Sequence, residues 1–210
     1  MRGLANPDSK IYSLLNKLTL LMELNLLVVL CCLPVVTAGA AFCSMHAVLL
    51  KIYRNEEKKV AADFFAAMKS NLKNGTLLWV LLLAFLAVLV GLGVLVSLWI
   101  PENAVFAIFC LLLVAVVGIL YCNWAFILQS RYVYTVGQIL KNALLAWVKY
   151  PGSTFVYLVS CAVPGVLCLV PEVWPAVFLI GITLPHMIST PLYSMVFNQM
   201  EGVPIQIPKL

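Results

Sequence analysis

The chain has 210 residues, of which 64% are hydrophobic and 10% charged, where a soluble globular domain has about 45–50% and about 25%. A mean hydropathy of +1.06 excludes a water-soluble fold and predicts a polytopic membrane protein. The net charge of +5 rests on thirteen Lys and Arg residues gathered in short connecting segments. That is the distribution of a positive-inside membrane protein and not of a nucleic-acid binder.

From Lys17 to Lys51 the only charge is Glu23, and the stretch is interrupted from Pro34 to Gly39. Proline and glycine at this spacing break a helix. Two readings follow: one long kinked span, or a hairpin with arms over 12–33 and 40–54. Further uncharged stretches run over Asn74–Pro101, Asn103–Ser130, Tyr150–Pro171 and Val173–Met200. Each exceeds the roughly 20 residues that cross a hydrocarbon core of about 30 Å.

Loop charge orients these spans. Lys51, Arg54, Lys58, Lys59, Lys69 and Lys73 face three acids, Pro101-Glu102-Asn103 carries no base, Arg131, Lys141 and Lys149 follow, and Pro171-Glu172 again carries none. Basic segments belong inside, so the two Pro-Glu turns belong outside and the tail with Lys209 inside. Arg2, Lys10 and Lys17 against Asp8 place the N-terminus inside as well, which favours the hairpin. The short return arm counts against it, since 15 residues cover only about 22 Å. Ala38-Gly39-Ala40 also fits a signal-peptide cleavage site, but Glu23 and the apolar sequence that follows oppose cleavage.

Two connections show amphipathic periodicity. Phe64, Phe65, Met68 and Leu72 share a face apart from Lys69 and Lys73; Tyr132, Val136, Leu140, Ala143 and Trp147 share another, with Lys141 elsewhere. Both predict helices at the inner interface that contact either lipid or the protein's own bundle.

Pro34, Pro101 and Pro171 are spaced 67 and 70 residues apart, and 73–80 shares five of eight residues with 141–148. This predicts a parallel repeat of interfacial helix, span, Pro-Glu turn and returning span. The expected fold class is all-α: a single transmembrane domain over 1–210, with a first hairpin at 12–54, repeat units at 60–130 and 131–200, and a tail at 201–210. About six membrane helices form three hairpins, or five if the first stretch is one kinked span, with two amphipathic interfacial helices.

Asn25-Leu26-Leu27, the string Leu33-Pro34-Val35-Val36-Thr37-Ala38-Gly39, Asp63-Phe64-Phe65 and Asn71-Leu72-Lys73 resemble the YesL-like family of bacterial membrane proteins. Met68 and Leu72 stand where that family's pattern has aromatics. The resemblance is strongest over the first 80 residues, and beyond it only Lys141-Asn142-Ala143 adds to hydropathy. It implies an integral protein of the bacterial cytoplasmic membrane without established activity, a companion of carbohydrate uptake or utilisation.

Polar groups in spans are the candidates for function. Glu23, Asn25, Thr37, His46, Asn123 and His186 are these residues. Glu23, six residues after Lys17, suits an interfacial carboxylate better than a proton site. Asn25 and Thr37 suit interhelical and turn hydrogen bonds. The two histidines are expected to pack separately rather than pair as a relay or metal site. Pro185 and Pro191 predict a kinked, partly unwound last span whose carbonyls Ser189 and Thr190 repair.

Cys31, Cys32, Cys43, Cys110, Cys122, Cys161 and Cys168 all lie in apolar runs and read as free thiols. No metal spacing, nucleophile elbow, HExxH or phosphate-binding loop occurs. The expected protein is therefore neither an enzyme nor cofactor-dependent. Its expected partners are the lipid bilayer and either sugar-transporter subunits or a second copy, with no nucleic acid. The readings carried forward are an accessory or scaffold protein and a small-solute transporter or channel.

Overall fold

Helix α1 (Lys10–Cys32) stops where Pro34 takes an extended backbone, and α2 (Ala38–Arg54) starts after a 3-10 turn over Val35–Thr37. Thr37 Oγ1 donates to the carbonyls of Cys31 at 2.7 Å and Pro34 at 2.9 Å, which satisfies acceptors at the break. The first apolar stretch is thus two helices. They close on each other through Leu24 and Val28 against Met45, Val48 and Leu49. The computed structural model describes residues 10–56, 59–167 and 170–201, and no strand occurs among them.

The remaining helices are α3 (Val60–Trp99), α4 (Ala104–Arg131), α5 (Val136–Lys149), α6 (Pro151–Leu167), α7 (Trp174–Ile180) and α8 (Thr183–Glu201). Four stretches, Tyr12–Cys32, Val35–Arg54, Val60–Trp99 and Pro101–Arg131, are long and apolar enough to cross a membrane. The chain is an all-helical membrane protein.

Three expectations are corrected. The first concerns the interfacial helix over 60–73, which is not a separate element: α3 runs unbroken for 40 residues, about 60 Å at 1.5 Å per residue. No proline interrupts it, and Gly75 stays helical because it lies in a close crossing. A Cβ on Gly39 would land on the Gly75 carbonyl oxygen and within 2.5 Å of the Trp79 Cβ; one on Gly75 would lie 2.9 Å from the Ala40 Cα. Glycine at both positions lets the two backbones touch.

That crossing sets the register. Gly39 meets Gly75 at one end of α2, and Ile52 shares a cluster with Val60 at the other. Helix α2 therefore lies beside the charged first half of α3. The apolar second half continues past it and pairs with α4. Along this blade the half-buried positions are Leu86, Leu89, Gly93 and Val96 on α3 and Ala104, Ala107, Leu111, Ala115 and Gly118 on α4. Their three- and four-residue steps form a coiled-coil seam.

The second correction is to the repeat. Both turns keep a 3-10 Pro-Glu form, over Pro101–Asn103 and Pro171–Val173. The helices around them differ, because Pro151 falls where the aligned Leu83 sits inside α3. A proline cannot continue the hydrogen-bond ladder, so α5 and α6 separate there. Helix α7 has only seven residues, against 28 in α4.

The third correction is to the last span, which breaks at Gly181-Ile182 and not at its prolines. Pro185 lies in the first turn of α8, where its missing N–H would have no intrahelical acceptor. Pro191 sits inside a continuous helix. The hydroxyls repair the ladder as expected: Ser189 Oγ donates to the Pro185 and His186 carbonyls and Thr190 Oγ1 to that of His186.

Candidate functional site

Helix α2 is the most enclosed element, and ten of its buried residues flank His46. Helix α1 reaches across the fold to position the residue that His46 meets. Asn25 Oδ1 accepts from the Ile182 and Thr183 backbone N–H groups, each at 3.1 Å, and Thr183 Oγ1 donates to the Leu21 carbonyl at 3.1 Å. Asn25 thus caps α8 from another helix, supplying the acceptor that an exposed helix N-terminus lacks. The cap fixes the first turn of α8 and places His186 on the inner side.

The two histidines are in contact: their ring centroids are 5.0 Å apart. This corrects the expectation of separate packing. His186 Nδ1 is 2.7 Å from the Ile182 carbonyl and Nε2 is 3.0 Å from the Tyr157 hydroxyl of α6. The carbonyl accepts only, so Nδ1 carries the proton and Nε2 accepts from the tyrosine. Asn123 of α4 lies near enough to influence the His46 ring, and His46 Nε2 has no hydrogen-bond partner among the described residues. Tyr193 presents its ring edgewise to His46 at 6.2 Å and to Trp124 at 5.4 Å. Both histidines and Asn123 are buried.

Two further networks knit the same body. Trp124 Nε1 donates to Thr154 Oγ1 at 2.8 Å, joining α4 to α6. Gln129 Nε2 donates to Asn71 Oδ1 at 2.9 Å, and Asn74 Nδ2 donates to Gln129 Oε1 at 3.4 Å and to the Tyr134 carbonyl at 3.1 Å. Each buried amide thereby satisfies a group that would otherwise oppose burial.

At one end of the body, Arg131 grips Glu201 through two hydrogen bonds of 2.7 Å, and Tyr132 Oη donates to the same carboxylate at 2.7 Å. These donors hold the Glu201 carboxyl down at about 2, the Arg131 hydrogen bond contributing most. Arg131 also stands 5.2 Å over the Phe197 ring, and Lys51 pairs with Asp63 at 2.6 Å.

The other expected residues are scattered. Glu23 is exposed on α1, Thr37 serves the turn, and Pro34, Pro101, Glu102, Pro171 and Glu172 lie exposed in turns. Phe64 is buried while Phe65, Lys69 and Lys73 are exposed, so the first aromatic stripe divides between core and surface. The second packs inward, with Ala143 buried, Trp147 half-buried and Lys141 exposed.

Tyr157, Thr154, Trp124 and Gln129 carry no reading in the sequence, and Asn71 only one within the family resemblance. Their only signal was a polar group within or beside an apolar run, and no spacing rule links Asn71 to Gln129 or Tyr157 to His186. Cys31, Cys32, Cys43, Cys110 and Cys122 are free; the side chain of Cys161 and the whole of Cys168 lie outside the described residues. Chemically the site offers two imidazoles, a phenol and an amide. No group of three or more His, Cys, Asp or Glu suited to a metal ion occurs among the described residues.

Residues 21–91 match the family described as Protein of unknown function, DUF624. The match covers α1 from Leu21, all of α2 and α3 into the blade, so it includes Asn25, His46 and the Gly39–Gly75 crossing. His186 and Tyr157 fall beyond it. No curated protein and no solved structure matches the chain.

Proposed function

We propose that this is a YesL-like protein of the bacterial cytoplasmic membrane, a non-enzymatic accessory that holds a partner's transmembrane helix against the α3–α4 blade. YesL-like proteins belong to the family matched over residues 21–91. The observation that carries the reading is the blade itself: from Leu83 to Cys122 no side chain is buried. Its two helices leave an apolar groove of about 610 Å³ lined by Leu86, Leu89, Gly93, Ser97, Leu111 and Ala115. Small residues on the floor of such a groove admit close approach of a further helix, the usual basis of helix association in lipid. The partner class, a subunit of a sugar-uptake system, follows from the family resemblance. In this reading both termini face the cytoplasm and the chain crosses six times, with the first two helices as a hairpin.

A specific observation favours a second reading, a small-solute transporter or channel. A path needs polar groups that converge inside the bundle, and His46, Asn123, Tyr157 and His186 do so. The discriminating experiment is crosslinking in native membranes followed by purification. Recovery of a transporter subunit, lost when Gly93 and Ala115 are replaced by Leu, supports the accessory reading. Recovery of the protein alone, with solute uptake into reconstituted vesicles that His46→Ala abolishes, replaces it by the transport reading.

A further inference from the structure

Helix α5 divides its surface sharply. Ile139, Ala143 and Ala146 are buried against the body, while Leu144, Leu145 and Val148 are half to two-thirds exposed on the opposite side. Lys141 and Lys149 occupy that same outer side, since residues three, four and seven apart share a helix face. No acidic residue occurs between Arg131 and Pro171. Apolar side chains flanked by lysines, with no countercharge on the segment, are the pattern of a helix lying in an anionic lipid surface.

Beside the C-terminal turn of α5 is a cavity of about 540 Å³ lined by Asn142, Leu145, Val148, Lys149, Tyr150 and Met200. Lys149 stands with its Nζ 5.5 Å from the centroid of the Tyr150 ring, which holds the ammonium at the cavity. Glu201, next in sequence to the lining residue Met200, is paired with Arg131, which offsets its charge. The lining is mostly apolar and includes the Lys149 ammonium and the Asn142 amide.

We infer that this cavity binds one anionic phospholipid. Its phosphate pairs with Lys149 and Asn142, and its acyl chains lie along Leu145, Val148 and Met200. The amphiphile is preferred over a free anion because most of the lining is hydrocarbon, which phosphate alone cannot use. The inference is independent of what the blade docks.

The full-length protein in neutral detergent is titrated with phosphatidylglycerol, phosphatidylcholine or glycerol 3-phosphate, and retained ligand is counted by native mass spectrometry alongside the thermal midpoint. One equivalent of phosphatidylglycerol is expected to be retained in preference to phosphatidylcholine, with no retention of glycerol 3-phosphate. Lys149→Gln should weaken phosphatidylglycerol about fivefold, the factor that about 1 kcal/mol per basic residue corresponds to. Val148→Ser should weaken it as well, and Lys141→Gln, outside the cavity, should leave it within about twofold. Equal retention of both lipids, retention of glycerol 3-phosphate, or equal losses for Lys141→Gln and Lys149→Gln would each overturn the site. Thermal midpoints without lipid that match the parent protein identify the variants as folded.

Discussion

The body and the blade use one helix to opposite ends. Up to Leu82, α3 buries Val60, Phe64, Asn71, Gly75, Leu78 and Leu82 against other helices. Beyond Leu82 none is buried, although the side chains are more apolar. Burial in this protein follows the availability of a helical neighbour and not hydrophobicity. In lipid an exposed leucine incurs no penalty, so apolar residues need no protein partner, while polar ones do. The body is accordingly where Asn25, His46, Asn71, Asn123, Gln129 and His186 collect. Away from the Pro101–Asn103 turn the blade holds few polar side chains, such as Ser97, which donates to the Gly93 carbonyl of its own helix at 2.8 Å.

Substitutions that exploit this contrast should behave differently in the two regions. Gly39→Leu drives a side chain into the α3 backbone and should destabilise the body by about 3 kcal/mol or more. In the blade, where nothing approaches within 4 Å of a Cβ on Gly91, Gly91→Ala should instead add about 0.5–1 kcal/mol by reducing backbone entropy. Thermal unfolding in detergent measures both, and equal effects would erase the distinction between the regions. Val90→Asp inverts the test. It touches nothing inside the body, so its midpoint in detergent should stay near the parent value. Membrane insertion of its span should weaken by about 2.5–3.5 kcal/mol, read by a glycosylation or translocation reporter.

Smaller effects test how the body is held together. Asn25→Ala leaves the Ile182 and Thr183 N–H groups without their acceptor and should cost about 1–2 kcal/mol. Hydrogen exchange should then rise at the start of α8 before it rises elsewhere. Exchange that stays uniform would mean that α1 does not set the position of α8.

The smallest effect is at the charged end. Glu201→Gln should lower stability by less than about 1 kcal/mol, because the pair is partly open to solvent. The sign of its pH dependence is fixed by the depressed carboxyl, near 2 in the fold and about 4.3 in an unfolded chain. The contribution is complete above the unfolded value and disappears as the pH falls through about 2. The gap between parent and Glu201→Gln midpoints should therefore narrow from pH 5 toward pH 2. A gap that widens on acidification would contradict the assigned hydrogen bonds.

Much of the fold was legible in the sequence where the cause is local. Pro34 ends α1 because proline lacks a donor, and Pro101-Glu102 and Pro171-Glu172 form turns for the same reason. Asn25 and Thr37 were readable as hydrogen-bonding residues, though not their acceptors and donors. The continuity of α3 was misread because an amphipathic period followed by an apolar one looks like two elements, while the backbone ladder is indifferent to that change. The two units of the repeat diverge at one residue, Pro151. Sequence alignment weighs it as one mismatch among many, whereas the helix treats it as a stop.

By itself the sequence determined the solvent, the helical class, the break after Cys32 and the two Pro-Glu turns, all of which depend on composition or on residues within a turn of one another. Only the tertiary structure decided that α2 pairs with the charged half of α3, that Asn25 caps α8, and that His46 meets His186 across 140 positions. The reason is that these contacts depend on helix rotation and register. Those are set by a single crossing of glycines and a single break at Gly181-Ile182, and neither leaves a periodic trace in the chain.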